Sequence, residues 1–585
     1  MLKLFKKFSK KEVLVVIICL IIIIFQVGVE LKLPDYMSEI TKLIETEGSS
    51  MNDILISGAY MLLCALTSAL SAVIIGFLAS GLSAEFSLNI REKLFKKVQK
   101  FGITEIKLFK TSSLITRTTN DVTQIEMLIS FGLQALLRAP IMAIWAITKI
   151  VNRSTQLSGI VAVGVIILLI TVFSIMLVVT PLFKKIQLLI DKTNNVTREG
   201  IQGVRVIRAF NAEKYQENKF NDVNNELTNT NITIQKTFAI MEPVMGIIMH
   251  GLTVGIYFVG ALLMANLGLF QRLELFSNMV VFTSYGMQVI MSFMMLTVIF
   301  MILPRARVSA NRINEVLDSE INVKDKDDAK PIEKGTIEFK KVSFKYPDAD
   351  EYLLKNISFK AEQGETIAFI GSTGSGKSTL VNLIPRFYDV SEGSILVDGI
   401  DVKDYKQKTL HNIIGYVSQK AFLFSGSIKD NIKFGDNGIE EITNQKVEEA
   451  LKIAQAKAFV NKLDGGLNAH IARGGTNVSG GQKQRLSIAR AIARDPEIYI
   501  FDDTFSALDY KTDSQLRKDL KKYTKDATTL IVAQRIGTII NADKIIVLDK
   551  GECVGIGTHK ELIKTCEVYK EIALSQLSEE ELNNA

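Results

Sequence analysis

Six long apolar segments constrain the fold of the first half of this chain more than any other feature of its sequence. They lie at about 13–33, 54–83, 128–151, 157–182, 238–268 and 277–303. Each is long enough to cross a hydrocarbon layer of ~30 Å as a helix, and in such a layer only helices and closed barrels satisfy all backbone hydrogen bonds. Hydrophobic residues make up 48% of the chain, which is high for a soluble protein. The sequence therefore predicts an α-helical membrane domain of six transmembrane helices.

Basic residues predict the orientation of these segments. Five lysines precede the first segment, and the long connections 84–127 and 183–237 are rich in Lys and Arg. Because basic loops stay in the cytoplasm, we expect the N-terminus, both long connections and everything after residue 304 to be cytoplasmic in a multi-pass protein of the cell membrane. A secretory signal peptide is the alternative for the N-terminus. Its apolar stretch from Val13 is too long for one, and no small-residue cleavage site follows.

The charge and the cysteines exclude some classes of protein. The formal charge of +7 could suggest a nucleic-acid partner, but much of it lies beside the apolar segments, so we expect no nucleic acid to bind. The four cysteines are scattered without C-x-x-C spacing, which predicts neither a metal cluster nor a disulfide framework.

Ionisable and methionine side chains within the apolar segments are candidates for a functional role. Arg138 and Glu242 lie near the inferred cytoplasmic ends of their segments, where a helix–helix contact is enough to explain them, and His250 lies deeper. The last two segments are rich in methionine, whose flexible thioether suits a surface that accepts varied apolar ligands. The same residues are also ordinary packing material. These methionines are Met241, Met245, Met249, Met264, Met279, Met287, Met291, Met294, Met295 and Met301.

A glycine-rich stretch dominates the second half of the chain. Residues 371–379 fit the pattern G-x-x-x-x-G-K-[ST], follow a strand-like apolar run and precede a helix-like one. In this context the backbone N–H groups close on phosphate oxygens, Lys377 reaches the β- and γ-phosphates, and the Ser378 hydroxyl ligates Mg²⁺. A chance glycine-rich turn is the alternative. The predicted nucleotide-binding residues of the loop are Gly371, Ser372, Thr373, Gly374, Ser375, Gly376, Lys377, Ser378 and Thr379.

Four further stretches follow the loop. Gln419 comes after a strand-like run, and Asp502 ends the apolar run that starts at Ile498, so both are candidate Mg²⁺ ligands beside Ser378. The turn with Ser479, Gly480, Gly481 and Gln482 opens a helix, and Asp509 closes the stretch Ser-Ala-Leu-Asp. Strand and helix patterns alternate over this half, which predicts an α/β P-loop nucleotide-binding domain. We assign residues 1–304 to the membrane domain, 305–335 to a linker and 336–578 to the nucleotide-binding domain.

In their order and spacing these stretches resemble the ATP-binding-cassette (ABC) superfamily, and together with the six apolar segments they resemble its exporter half-transporters. The resemblance covers nearly the whole chain. It implies that two halves dimerise around two ATP molecules, each held between the loop of one half and the Ser479–Gln482 turn of the other. It also implies that Tyr346 stacks on adenine. The connections 84–127 and 183–237 would carry helices that touch the nucleotide domains, the second turning near Ala209–Gln216.

Three positions depart from the superfamily's pattern. Asp503 replaces a glutamate that polarises the attacking water, Gln534 replaces a histidine that contacts the γ-phosphate, and Ala472–Gly475 replaces Gly-Glu-x-Gly. Aspartate is one methylene shorter, and a misplacement of ~1 Å can cost ~10²-fold in rate. Loss of a positioned base costs roughly 10²–10⁴-fold, and glutamine cannot carry the charge of an imidazolium. At these catalytic positions, Asp503 and Gln534, we therefore predict slow or no hydrolysis.

We interpret the chain as the degenerate-site half of a heterodimeric multidrug-type exporter. Its partner would be a second half-transporter that supplies the glutamate and the histidine, while Ser479–Gln482 completes the partner's ATP site. ATP and Mg²⁺ are the expected cofactors, and membrane lipid and a hydrophobic or amphipathic small molecule are the other expected partners. The alternatives are a homodimeric exporter in which the changes are neutral, a lipid flippase, and an ATP-binding regulatory membrane module that moves no cargo.

Overall fold

The computed structural model describes residues 2–46, 48–151, 153, 155–265, 268–323, 325, 334–435 and 441–577. The chain divides into two compact units, of which the first comprises Met1–Gln99 with Thr111–Ser319 and the second comprises Lys100–Lys110 with Glu320–Ala585. The predicted linker is described only in part. Its residues 324 and 326–333 lie outside the described residues, as does residue 578, the predicted end of the nucleotide-binding domain.

The first unit is helical, and one short helix between its second and third membrane-crossing segments belongs to the second unit. In chain order the helices are α1 (Leu2–Phe5), α2 (Lys10–Glu30), α3 (Leu33–Glu45), α4 (Met51–Val98), α5 (Ile103–Phe109, in the second unit), α6 (Thr111–Thr118), α7 (Asn120–Val151), α8 (Thr155–Gln202), α9 (Val204–Ala209), α10 (Glu213–Ala239), α11 (Met241–Met264) and α12 (Leu269–Asp318). Six helical stretches are long and apolar enough to cross a membrane, which confirms the predicted membrane domain. They are Lys10–Glu45, Met51–Val98, Thr111–Val151, Thr155–Gln202, Glu213–Met264 and Gln271–Leu296.

Buried apolar side chains hold these helices together. Ile75, Met142, Leu252 and Tyr285 belong to one buried cluster that draws on α2, α4, α7, α8, α11 and α12. Small residues let neighbouring helices approach, because a Cβ atom at Gly286 would lie only 2.9 Å from Leu252 Cδ2. Side-chain packing rather than polar contact therefore supplies most of the interhelical contact in this cluster.

A polar network joins three of the helices at one end of the first unit. The Asp35 carboxylate of α3 accepts hydrogen bonds from Lys149 Nζ of α7 at 3.0 Å and from the Tyr285 hydroxyl of α12 at 2.9 Å, and it also pairs with Arg153. Tyr285 is fully buried. The carboxylate satisfies polar groups that would be costly to leave unpaired in this setting.

Arg138 pairs with Glu30, the last residue of α2, through two contacts of 2.8 and 3.0 Å. This end of α2 is the one away from its basic N-terminus, so the expected position of Arg138 near the cytoplasmic end is wrong. Its helix begins at Asn120, well before the apolar segment, and this start shifts Arg138 along the helix. The expected helix–helix contact is present.

The second unit is an α/β domain. Its strands are β1 (Ile337–Phe344), β2 (Leu354–Ala361), β3 (Thr366–Gly371), β4 (Glu392–Val397), β5 (Ile400–Asp401), β6 (Ile414–Val417), β7 (Gly426–Ser427), β8 (His470–Ile471), β9 (Ile498–Asp502), β10 (Thr528–Val532), β11 (Lys544–Asp549) and β12 (Glu552–Gly557). Its helices after α5 are α13 (Lys377–Leu383), α14 (Gln407–Ile413), α15 (Ile428–Ile432), α16 (Asn444–Ile453), α17 (Lys457–Val460), α18 (Gly480–Ala493), α19 (Tyr510–Tyr523), α20 (Ile536–Ile539), α21 (His559–Thr565) and α22 (Glu567–Leu574).

The strand order of the larger sheet decides where functional residues meet. Its order is β12-β11-β3-β10-β9-β6, and β11, β3, β10, β9 and β6 run parallel. Val532 of β10 is in register with both Phe369 of β3 and Asp502 of β9. Since parallel strands end at one edge of a sheet, the residues that follow β3, β6, β9 and β10 converge there. A second sheet, of order β2-β1-β4-β5, is antiparallel.

Candidate nucleotide-binding site

The loop between β3 and α13 has a backbone that requires glycine at two positions. Gly371 has φ of 155° and Gly376 has φ of 94°. A Cβ atom at Gly371 would lie 2.0 Å from the Leu548 carbonyl oxygen, and one at Gly376 would lie 2.6 Å from Leu354 Cδ2. A side chain at Gly371 would collide with the backbone, and one at Gly376 would displace Leu354 and require a left-handed backbone that side chains rarely adopt.

Lys377 folds over this loop. Its Nζ donates to the carbonyl oxygens of Gly371 and Ser372, both at 2.8 Å, and to Ser375 Oγ at 3.4 Å. Burial lowers the pKa of Lys377, and the nearby Asp503 and Asp502 oppose that shift. The ammonium group is thus positioned at the loop, beside two carboxylates and within reach of an anion in the loop.

Ser378 and Asp502 meet across the sheet edge. Ser378 Oγ donates to Asp502 Oδ1 at 2.6 Å, and Asp502 is the last residue of the fully buried strand β9. Burial raises the pKa of the Asp502 carboxyl, and the hydrogen bond from Ser378 partly offsets this shift. A hydroxyl and a carboxylate are the hard oxygen donors that Mg²⁺ prefers, and Mg²⁺ usually completes its shell with phosphate and water. These two residues fit the expected Mg²⁺ ligands.

Asp503 is held by two glutamine amides. Its Oδ2 accepts hydrogen bonds from Gln419 Nε2 at 3.0 Å and from Gln534 Nε2 at 2.7 Å. The side chain is buried, and its backbone is left-handed with φ of 47°. The three residues follow β9, β6 and β10, so the sheet brings together side chains that are far apart in the sequence. Gln419 lies against Asp503 rather than against Ser378 or Asp502.

A cavity of about 480 Å³ lies over the loop. Of the residues that the sequence predicts, it is lined by Gly371, Ser372, Thr373, Gly374, Gly376, Lys377, Ser378, Thr379, Gln419, Asp503 and Gln534. Tyr346 contacts the end of the loop, where its hydroxyl hydrogen-bonds with Thr379 Oγ1 at 2.9 Å. The structure therefore gathers the predicted loop, the two glutamines and Asp503 around one space.

The turn at Ser479–Gln482 and Asp509 serve a local structural purpose in this chain. Ser479 caps α18, since its Oγ accepts from Gln482 N at 3.3 Å while Ser479 N donates to Gln482 Oε1 at 2.9 Å. Asp509 caps α19 by accepting from Thr512 N at 2.9 Å, and this hydrogen bond lowers the pKa of Asp509. Among the described residues these five are not part of the cavity lining.

Gln576 also reaches the cavity, and sequence reasoning missed it. Its Nε2 donates to the Gln534 carbonyl oxygen at 2.8 Å, and its Oε1 accepts from Ile536 N at 2.9 Å. Gln576 thus hydrogen-bonds to the backbone on both sides of Arg535. A lone glutamine about forty residues further along the chain carries no sequence signal, because its role depends on where α22 packs.

Comparison with known proteins identifies both units. Residues 16–303 match the family model described as the ABC transporter transmembrane region, and residues 354–506 match the model described as ABC transporter. A solved structure described as a bacterial Atm1-family ABC exporter with ATP bound has the same fold, with a TM-score of 0.82 at 23% identity. That alignment covers 97% of this chain and 100% of the other.

Relatives align over most of the chain. An uncharacterized ABC transporter ATP-binding protein of Mycobacterium tuberculosis is 39% identical, over 92% of this chain and 93% of its own. A putative multidrug export ATP-binding/permease protein of Bacillus subtilis is 32% identical, over 85% and 84%. An ATP-dependent lipid A-core flippase of Pseudomonas aeruginosa is 31% identical, over 83% and 80%. The chain therefore belongs to the ABC transporter family, with its transmembrane region and its ATP-binding domain in one polypeptide.

Proposed function

We propose that this chain is one half of a heterodimeric exporter of hydrophobic or amphipathic compounds, and that its own ATP site hydrolyses slowly or not at all. One observation carries the proposal: Asp503 Oδ2 accepts hydrogen bonds from both Gln419 and Gln534. The residue that stands where the superfamily places its base is therefore already engaged by two amide donors.

Three physical effects act against hydrolysis at this site. The Asp503 carboxylate is one methylene closer to the backbone than a glutamate would be, so it reaches less far toward an attacking water. Two amide groups already donate to Asp503 Oδ2, so an attacking water would have to compete with them for that oxygen. Gln534 donates a hydrogen bond but cannot supply the positive charge of an imidazolium to a phosphate.

The groups suited to hold ATP and Mg²⁺ are retained. Lys377 stays at the loop, and the pair of Ser378 with Asp502 presents oxygen ligands. ATP would then remain bound at this site for a long time and hold two nucleotide-binding domains together. The Ser479–Gln482 turn, whose first two residues are exposed, would complete the site of a partner that brings glutamate and histidine. In this arrangement the N-terminus and the nucleotide-binding domain face the cytoplasm.

The relatives and the composition of the last two apolar segments support the proposed cargo class. The Bacillus subtilis relative supports multidrug-type export, and the methionines of α11 and α12 suit varied apolar ligands. The flippase among the relatives favours lipid as a second candidate cargo. Transport into vesicles can be measured for both cargo classes, with an amphipathic dye for the first and a labelled lipid for the second.

The first experiment is ATP turnover by this chain purified alone in lipid, with ATP binding measured on the same sample. We expect ATP binding without appreciable turnover, and restored turnover when a half-transporter that co-purifies from the native membrane is added. Robust turnover by the chain alone would contradict the degenerate site and favour a homodimeric exporter. A second experiment tests transport by the assembled pair in vesicles, with an amphipathic dye and with a labelled lipid. If it moves neither but ATP still alters the partner's activity, the chain is a regulatory module.

A further inference from the structure

Residues 100–110 lie between two membrane-crossing segments in the sequence but belong to the nucleotide-binding unit. This segment contains α5 and is well anchored there. Ile103 packs against the buried cluster that includes Phe344 and Tyr388, and the buried Glu105 accepts a hydrogen bond from Asn322 N at 3.1 Å. Residues 100–110 therefore have a defined position beside the nucleotide-binding residues of their own unit.

Lys107 of this segment lies on the ring of Tyr346. Its Nζ is 4.8 Å from the centroid of the Tyr346 ring and 5.6 Å from that of Tyr388. Both distances are within the range of a cation–π interaction. A hydrogen bond with Tyr388 raises the pKa of Lys107 and so favours its charged form. The two tyrosine rings together form a docking point for one ammonium group.

Tyr346 has little room for a further partner. Its ring packs perpendicular to those of Phe344 and Tyr388, with centroids 5.1 and 5.3 Å away, and its hydroxyl bonds to Thr379 of the phosphate loop. The ring is only half-buried, so part of it is open to solvent. The rings of Phe344 and Tyr388 and the Lys107 ammonium therefore occupy much of the surface of the Tyr346 ring.

We propose that the Lys107 ammonium and the purine base of a bound nucleotide compete for the same face of the Tyr346 ring. A nucleotide that binds at the loop then displaces Lys107 and loosens the docking of residues 100–110. Linkage makes the effect reciprocal, because whatever strengthens the Lys107 contact weakens binding of the base. The inference deepens the proposed function, on which it rests for ATP binding at this loop. In this arrangement the purine base of the nucleotide, rather than its phosphates, acts on residues 100–110, and it does so through Lys107.

The test measures equilibrium binding of ATP and of inorganic tripolyphosphate to the full chain in lipid. Lys107→Met removes the charge at similar length, Lys107→Arg keeps a cation, and Lys100→Met is a matched control at an exposed lysine of the same segment. We expect Lys107→Met to bind ATP about two- to thirty-fold more tightly, the range that the loss of a competing cation–π contact allows. Tripolyphosphate, which has no base, should bind all variants equally, and the other two variants should resemble the wild type.

A double-mutant cycle and amide exchange complete the test. Tyr346→Leu should abolish the gain from Lys107→Met, because no ring is left to compete for. ATP should also increase amide hydrogen exchange at residues 103–109 of the wild type. Unchanged or weaker ATP binding by Lys107→Met, an equal gain for tripolyphosphate, or unaltered exchange would overturn the inference.

These outcomes are separate from those that test the proposed function. If the wild-type chain hydrolyses ATP rapidly while the Lys107→Met gain is present, the degenerate site is wrong and the inference stands. If the wild type binds ATP without turnover while Lys107→Met changes nothing, the inference alone fails.

Discussion

The two sides of the nucleotide cavity differ in how closely they follow the superfamily's pattern. On the side of β3, Gly371 and Gly376 have backbones that favour glycine, and Lys377 folds back over the loop that they form. On the side of β9 and β10, Asp503 and Gln534 depart from the pattern and bond to each other. Both sides sit at the same sheet edge. The comparison teaches that one cavity can combine a glycine-rich loop of the usual type with a carboxylate that two neighbouring amides already occupy.

The largest expected effect comes from disabling the binding side. Lys377→Met should weaken ATP binding by ~10²-fold or more, because a partly buried cation that faces phosphate is worth several kcal/mol of binding free energy. Equilibrium binding of ATP with Mg²⁺ to the purified chain measures this. Lys420→Met, at an exposed lysine after Gln419, is the matched control and should bind normally. ATP binding that survives in Lys377→Met would mean that this loop does not hold the phosphates.

A smaller effect is expected from restoring the superfamily's residues on the side of β9 and β10, which we call the hydrolytic side. Asp503→Glu combined with Gln534→His should raise ATP turnover at this chain's own site by ~10²-fold when the chain is assembled with its partner, since it restores the reach of the base and a group that can carry charge. Turnover is measured on purified protein, with ATP affinity as a check on the binding side. Asp503→Gln with Gln534→His lacks the carboxylate and is the control. If the repaired variant stays inactive, the deficit lies outside these two residues and the contrast between the sides is wrong.

The smallest effect is expected at Gln576, which hydrogen-bonds to the backbone next to Gln534. Gln576→Leu removes both hydrogen bonds to the backbone around Arg535, each worth about 1 kcal/mol of local stability. We expect ATP to dissociate about three- to ten-fold faster, as the Gln534 turn loosens. Stopped-flow release of a fluorescent ATP analogue measures the rate. Glu571→Gln, at an exposed position of α22, should leave it unchanged. An unaltered rate in Gln576→Leu would mean that Gln576 does not support the site.

Much of this architecture could be predicted because its signals are local. The six apolar segments and the loop at 371–379 can each be recognised from contiguous residues. The strand that ends at Asp502 and the strand that precedes Gln419 can be recognised from their apolar runs. The contacts of Gln576 and Lys107 could not be predicted, because they join parts of the chain that are distant in sequence. Arg138 was misplaced for a related reason. Hydropathy marks the apolar core of a helix but not where the helix begins.

The Asp35 network has a mechanical consequence for the membrane unit. One carboxylate is the common attachment point of α3, α7 and α12 through Lys149, Arg153 and Tyr285. Because three donors share one carboxylate, losing Asp35 would remove three contacts at once, whereas the hydrogen bond from Ser277 to the Ser38 carbonyl would still join α12 to α3. A movement that separates α7 from α3 at this end must therefore break the contacts of Asp35 with both Lys149 and Arg153, which makes this carboxylate a switch point for their separation.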